Sequence, residues 1–336
     1  ATFERVHVRN GLLDVATGGQ LVAQQARVDT GAVLNVDGHF DFTTAADTFD
    51  VAGKVSGSGP IEMLDGDDTL ILRDGADLGA LATALDGGAG NDTLTADIAT
   101  QATLGGAVDF ENLVKQGEGR FTIAGPAASQ FDSVQVHRGE LEIAAGPVVD
   151  PASTVVDAGA TLTVDGSYLG TTGDDSFDLS GTLAGAGNVD LLGGDDVLTI
   201  NTGAEIRFSG AFDASTQSVA DRFVLAGGGA GSFDAGLVGT VFTNFETFSK
   251  EGTGTWTLTG TGSNDWRVVE GSLVGGSLSF GGNIDVDNAG TVVFDQAADG
   301  TYAHQITGDG NLVKRNAGTL ALTGDNGFSG HTRIEA

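Results

Sequence analysis

Lys115-Gln116-Gly117-Glu118-Gly119-Arg120-Phe121-Thr122-Ile123-Ala124-Gly125 is one of three copies of a frame. The second is Lys250-Glu251-Gly252-Thr253-Gly254-Thr255-Trp256-Thr257-Leu258-Thr259-Gly260. The third is Lys314-Arg315-Asn316-Ala317-Gly318-Thr319-Leu320-Ala321-Leu322-Thr323-Gly324. After the glycines, apolar residues alternate with Thr or Ala, which reads as a short strand with one face buried. Asn316 stands where the other copies carry Gly117 and Gly252. Asn and Gly are the residues that tolerate positive φ, so this position requires a left-handed turn. By the same alignment Trp256 fills the slot of Phe121 and Leu320 and belongs to the core.

Working outward, a larger duplication appears at an offset of 128 residues. It maps Gly31-Ala32-Val33-Leu34 onto Gly159-Ala160-Thr161-Leu162. It also maps Asp47-Thr48-Phe49-Asp50 onto Asp175-Ser176-Phe177-Asp178, and Gly66-Asp67-Asp68 onto Gly194-Asp195-Asp196. The internal units run over approximately 1–128, 129–263 and 264–336. The third is partial and lacks insertions that the first two carry at approximately 62–112 and 190–247. Short period-2 segments such as Leu34–Val36, Leu141–Ile143, Leu162–Val164 and Ile284–Val286 continue the strand pattern. Ala76–Leu85 is the best helical exception, with Leu78, Leu81 and Leu85 at i, i+3 and i+7. Many short strands suit a sandwich or a solenoid, and repeats favour the solenoid. The expected fold is therefore all-β, a single right-handed parallel β-helix over 1–336 with short helix or hairpin insertions. Two antiparallel β domains, one per copy, form the competing architecture.

Composition excludes several functions. The 336 residues include 15 Lys or Arg against 46 Asp or Glu, a formal charge of −31, which repels nucleic acid and anionic membranes. There is no Cys, so neither disulfides nor thiolate chemistry arises. No run of about 18 apolar residues occurs, the length a membrane-spanning helix needs. A basic-then-apolar leader is not seen, and both ends read as cut within a coil, so the chain is expected to be part of a longer protein.

The stretch Gly308-Asp309-Gly310-Asn311-Leu312 through Lys314, Asn316, Gly318, Leu320, Leu322, Gly324 and Asn326 to Phe328-Ser329-Gly330 resembles the passenger-associated repeat of bacterial autotransporters. The looser copies at Lys115 and Lys250 extend the resemblance, while Asn316 and His331 depart from it. The resemblance implies a right-handed parallel β-helix secreted by the type V route, displayed on the cell surface or released. It implies a membrane connection only through a C-terminal barrel that is not in this sequence. Such passengers include adhesins, self-associating factors, proteases and esterases.

Candidate chemistry is sparse. Gly87-Gly88-Ala89-Gly90-Asn91-Asp92-Thr93-Leu94-Thr95 fits the calcium nonapeptide, but calcium needs 6–8 oxygen ligands. A calcium site would draw on Asp65, Asp67, Asp68, Asn91, Asp92, Asp195 and Asp196; the alternative is Gly-Asp turns bonding their own backbone. Trp266 has no counterpart in the other copies and is a candidate exposed contact residue. The histidines His7, His39, His137, His304 and His331 lack zinc spacing and are expected at exposed turns or strands. No Gly-x-Ser-x-Gly element supplies a serine nucleophile, and no catalytic residues or cofactor are expected. The expected role is adhesion or self-association, with a host surface protein, a glycan or a second copy as partner. The alternatives are a stalk presenting another domain and, further off, an enzyme acting on acidic polysaccharide.

Overall fold

A computed structural model describes residues 2–125, 128–215 and 220–335. The chain divides into two compact units. The first comprises Ala1–Thr171, Gly181–Asp190 and Ile206–Gly210, and the second Thr172–Ser180, Leu191–Glu205 and Ala211–Ala336. Each is built from short parallel strands, and the described residues contain no α-helix, only the 3-10 turn Ala235–Leu237. The fold is a parallel β-solenoid.

In the first unit one ladder runs through Leu12–Val15, Val33–Val36, Lys54–Gly57, Asp77–Leu81, Gln101–Leu104, Arg120–Ile123, Glu140–Ile143, Thr161–Val164 and Thr182–Gly185. A second runs through Thr48–Val51, Thr69–Arg73, Thr93–Asp97, Asn112–Gln116, Ser133–Val136 and Ser153–Val156. Apart from one shift between Asp77 and Ala80 the pairing is in register, so inward side chains stack in columns. Ala102, Phe121, Leu141, Leu162 and Leu183 form one, and Phe49, Leu70, Leu94, Leu113 and Val134 another. All of these side chains are buried. Thr154 continues the second column, and its buried hydroxyl is 2.7 Å from the Tyr168 hydroxyl. Alternation in sequence thus becomes stacking in space, because a period of two puts every second side chain inside.

In the second unit, Ser176–Leu179, Val197–Asn201, Arg222–Ala226 and Thr247–Lys250 pair in turn, as do Ala230–Asp234 and Thr255–Thr259. Both series reach Trp266–Gly275, which pairs along its length with Ile284–Asp295. Two strands that are separate in earlier coils are continuous here. The core beneath them is aromatic: Phe223 lies 5.0–5.6 Å from Phe233, Phe242, Phe245 and Phe248. Trp256 is buried, as its alignment with Phe121 requires, and its indole N–H donates to the Ala226 carbonyl at 2.8 Å.

The expected helix at Ala76–Leu85 is replaced by the strands Asp77–Leu81 and Leu85–Asp86. A register shift between Asp77 and Ala80 inserts a bulge, so Leu78 and Leu81 both point inward three residues apart. That spacing mimics one helical turn. The insertion at 62–112 is likewise ordinary coil, its strands joining the same ladders as the rest of the first unit.

The Lys-x-Gly-x-Gly frame resolves into three devices. Gly117, Gly252 and Asn316 have φ of 74°, 73° and 65°, the left-handed turn their sequence required. At the second glycine the neighbouring coil passes too close for a side chain: a Cβ on Gly119 would sit 2.5 Å from the Thr100 carbonyl oxygen. The lysine closes the corner from inside. Lys115 is fully buried, and its ammonium donates to the carbonyls of Gln116, Gly117 and, from the next coil, Arg138, at 2.8, 2.9 and 3.0 Å. Lys250 repeats this with Glu251, Gly252 and Glu270, at 2.9, 2.6 and 2.9 Å. Lys314 bonds the Arg315 and Asn316 carbonyls in the same way. Burial pushes the Lys115 ammonium down to about 8, against the opposing pull of Glu118 and Asp97.

Gly119→Ala should destabilise the fold by more than about 3 kcal/mol, because backbone must move rather than a side-chain tip. Gly159→Ala, at φ 85° with nothing within 4 Å of the added carbon, should cost about 1–2 kcal/mol. Denaturant unfolding of both variants measures the order. Lys115→Met should cost about 3 kcal/mol by stranding buried carbonyls, and Lys115→Arg should not restore it, because a planar fork does not fit a three-carbonyl socket.

Candidate functional site

The acidic turns singled out in the sequence build two matching ladders. In the first unit the backbone N–H of Asp47 donates to Asp68 Oδ1 at 2.7 Å, and that of Asp68 to Asp92 Oδ1 at 2.7 Å. The N–H of Asp92 donates to Glu111 Oε2 at 2.5 Å. In the second unit Asp175 donates to Asp196, Asp196 to Asp221 and Asp221 to Glu246, at 2.8, 2.8 and 3.0 Å. Meanwhile the carbonyls of Asp47, Asp68 and Asp92 accept from Thr69, Thr93 and Asn112 one coil on. Each ladder residue therefore sits just before a strand and extends its pairing by one rung, with a side chain standing in for the missing carbonyl. The calcium reading of the sequence included Asp68, Asp92 and Asp196 but not Asp47, Glu111, Asp175, Asp221 and Glu246. The mapping of Asp47 onto Asp175 was the available signal.

The aspartates of both ladders lie inside. Asp68, Asp92 and Asp196 are at most 1% exposed, and one oxygen of each, Oδ2, is buried without a hydrogen-bond partner. Burial, then neighbouring carboxylates, push Asp68 and Asp92 up to about 6 and Asp196 up to about 7, against the bond each accepts from backbone.

The remaining calcium candidates lie on the outer side of the same turns. Asp67 Oδ1 accepts the Asn91 N–H at 3.1 Å. Asn91 in turn accepts from the Asn112 amide at 2.8 Å, and Asn112 from the Ser133 hydroxyl at 2.9 Å. Asp195 donates its N–H to Asp174 at 2.9 Å, and Asp65 bridges to Ala89. The seven positions are thus distributed along two stacks. Among the described residues, no group of three or more His, Asp or Glu side chains could hold a metal ion.

The second unit carries a groove of about 510 Å³ on its sheet face, lined by Arg222, Ser249, Glu251, Trp266, Arg267 and Asp285 among others. Register sets this wall, pairing Ser249 with Arg267 and Arg267 with Asp285 on successive coils. Arg222 pairs with Glu251 at 2.8 Å, and Ser249 donates to the same carboxylate at 2.9 Å. Arg267 forks onto Asp287 at 2.9 Å. Trp266, expected on the surface, is instead 3% exposed, its ring 5.6 Å from Phe248 and 6.5 Å from Phe223. It lies within an inward column, following Phe248 and pairing with Ile284, so it forms the floor of the groove rather than a free contact. His39, His304 and His331 are exposed as expected, whereas His7 and His137 are half-buried on Asp29 and Asp157 at 2.8 and 2.7 Å.

Residues 312–336 match the family model described as Passenger-associated-transport-repeat. No curated protein and no solved structure matches the chain. The repeat match and the parallel β-solenoid together fit an autotransporter passenger domain. No helix among the described residues is long and apolar enough to cross a membrane.

Both tryptophans being buried, intrinsic fluorescence of the folded chain should be blue-shifted and resist acrylamide quenching. Trp266→Ala should cost about 3–5 kcal/mol, the range for emptying a large aromatic site, measured by denaturant unfolding.

Proposed function

We propose that the chain is a non-enzymatic, surface-displayed or secreted passenger segment that adheres to a partner or to a second copy. The groove over Trp266 carries this reading. It is a concavity lined by strand residues, with two exposed arginines on a chain of charge −31. Acidic or polar groups of a host protein or glycan, or of another copy, would share these guanidiniums with the Glu251 and Asp287 carboxylates that already pair them, while the overall charge repels nucleic acid.

A stalk reading also has support. Exposed arginines are matched to carboxylates along the chain, as Arg73 is to Asp50 and Asp97, and Arg120 to Glu140 and Glu142, and within the groove Arg222 to Glu251 and Arg267 to Asp287. Such a surface is already satisfied and serves rigidity. Beads coated with the chain separate the two readings. Adhesion predicts clumping or capture of host surface material, falling at least about tenfold in Arg222→Ala/Arg267→Ala, as loss of two charge-assisted contacts would give. Coated beads that stay dispersed and bind nothing establish the stalk. Release of reducing ends from acidic polysaccharide would overturn the non-enzymatic reading.

A further inference from the structure

Two Asn-Gly pairs stand at corners of the solenoid, Asn10-Gly11 and Asn326-Gly327, and the fold treats them oppositely. The dipeptide has a reactivity of its own. Because glycine carries no side chain, its backbone nitrogen can approach the preceding asparagine amide and close a five-membered ring. The fold decides whether that nitrogen and that amide are free to meet.

At Asn326-Gly327 both are tied. The Asn326 side chain is half-buried; its Oδ1 accepts the Ile306 N–H at 2.9 Å and its Nδ2 donates to the Gly324 carbonyl at 2.9 Å. The Gly327 N–H donates to the Ile306 carbonyl, also at 2.9 Å. Three bonds must open before the ring can close.

At Asn10-Gly11 these holds are missing. Both residues are exposed, and among the described residues neither the Asn10 amide nor the Gly11 N–H has a hydrogen-bond partner. Gly11 has a φ of 73° and nothing within 4 Å of the carbon a side chain would add, so its nitrogen is open to approach. A coil stacked before such a corner does not close it. The matching corner 128 residues on, Arg138-Gly139, has Gly119 of the preceding coil against it. Its Arg138 side chain is still 71% exposed, and the Gly139 N–H has no partner among the described residues.

We propose that Asn10-Gly11 is a self-modification site, converting the asparagine to aspartate and isoaspartate with water as the co-reactant, and that the bonds of Asn326-Gly327 protect the second pair. The Gly11 nitrogen gives its proton to solvent and attacks Asn10 Cγ. The N–Cγ bond forms, the Cγ–Nδ2 bond breaks, and the side-chain nitrogen leaves as ammonia. Water then opens the cyclic imide. Opening at Cγ yields aspartate; opening at the main-chain carbonyl yields isoaspartate, whose backbone runs through the former side chain. The sum is amide plus water giving acid plus ammonia, with nothing oxidised or reduced. Either product adds negative charge to the corner, and isoaspartate lengthens the backbone next to Gly11, whose carbonyl takes the Val33 N–H at 2.8 Å. At Asn326 the same change would delete the amide donor to Gly324 and displace the acceptor that closes the Ile306 corner.

The folded chain is held in mildly alkaline buffer and sampled over time. Peptides spanning the two pairs are weighed by mass spectrometry, and isoaspartate is read by enzymatic methyl transfer. Asn10 should convert, and Asn326 should convert at least about a hundredfold more slowly, as three bonds of ordinary strength would impose. In urea, with the fold gone, the two should react at comparable rates. Equal conversion in the folded chain overturns the proposal, as does an Asn10 that keeps its amide while the unfolded chain loses it. A gap that persists in urea assigns the difference to local sequence and overturns the protection. Asn10→Gln, whose side chain would need a larger ring, should abolish the early release of ammonia from the folded chain; undiminished release overturns the assignment to Asn10.

Discussion

A coil of this solenoid cannot satisfy its own corners. In the straight segments the backbone N–H and C=O groups meet their counterparts on the next coil through the parallel ladder. At a turn the chain changes direction, the ladder breaks, and groups are left pointing along the stack with nothing opposite. A buried backbone group without a partner costs about as much as a lost hydrogen bond, so every corner must be closed by something from the neighbouring coil.

The chain uses three closures, each explaining a residue type the fold would otherwise avoid. Where coils nearly touch, the side chain is removed, as at Gly119 and Gly254, where an added carbon would lie 2.5 and 2.4 Å from a carbonyl oxygen one coil away. Where carbonyls converge, an ammonium fills the gap, as Lys115 and Lys250 do with no carboxylate among their hydrogen-bond acceptors. Where an N–H is left over, a side-chain oxygen accepts it, as in the Asp ladders. Buried lysine and buried aspartate are ordinarily rare inside proteins. Here both are required by backbone groups that run one way along the stack.

This also explains what could be read from the sequence. Strand positions, the left-handed turn at Asn316 and the core role of Trp256 were legible because each depends on neighbours within a few residues. The false helix at Ala76–Leu85 arose because a bulge between Asp77 and Ala80 places two leucines inward at helical spacing, and only the partner strand Lys54–Gly57 reveals it. Trp266 was misplaced because it was compared with other copies of one frame, whereas its burial comes from rings at Phe223 and Phe248 on preceding coils. The acidic turns drew attention as metal ligands because several Asp lay close in sequence. Stacking instead separates each pair, the first Asp outward and the second inward, so the inner ladder joins residues 19–25 positions apart.

A carboxyl is not the only group able to close such a corner. Elsewhere in the chain a neutral acceptor does it: Ser129 takes the Ala107 N–H at 3.2 Å, and Asn326 takes the Ile306 N–H at 2.9 Å. Those corners do not change with acidity. Geometry alone therefore does not explain why Asp occupies matching inner rungs in both units, where Ser or Asn would accept the same bond without the cost of a buried charge. The difference between the two kinds of acceptor is charge: a serine or asparagine corner accepts its N–H without one, whereas a stacked carboxyl corner sets like groups one coil apart, a repulsion that burial sharpens and the accepted N–H offsets only in part.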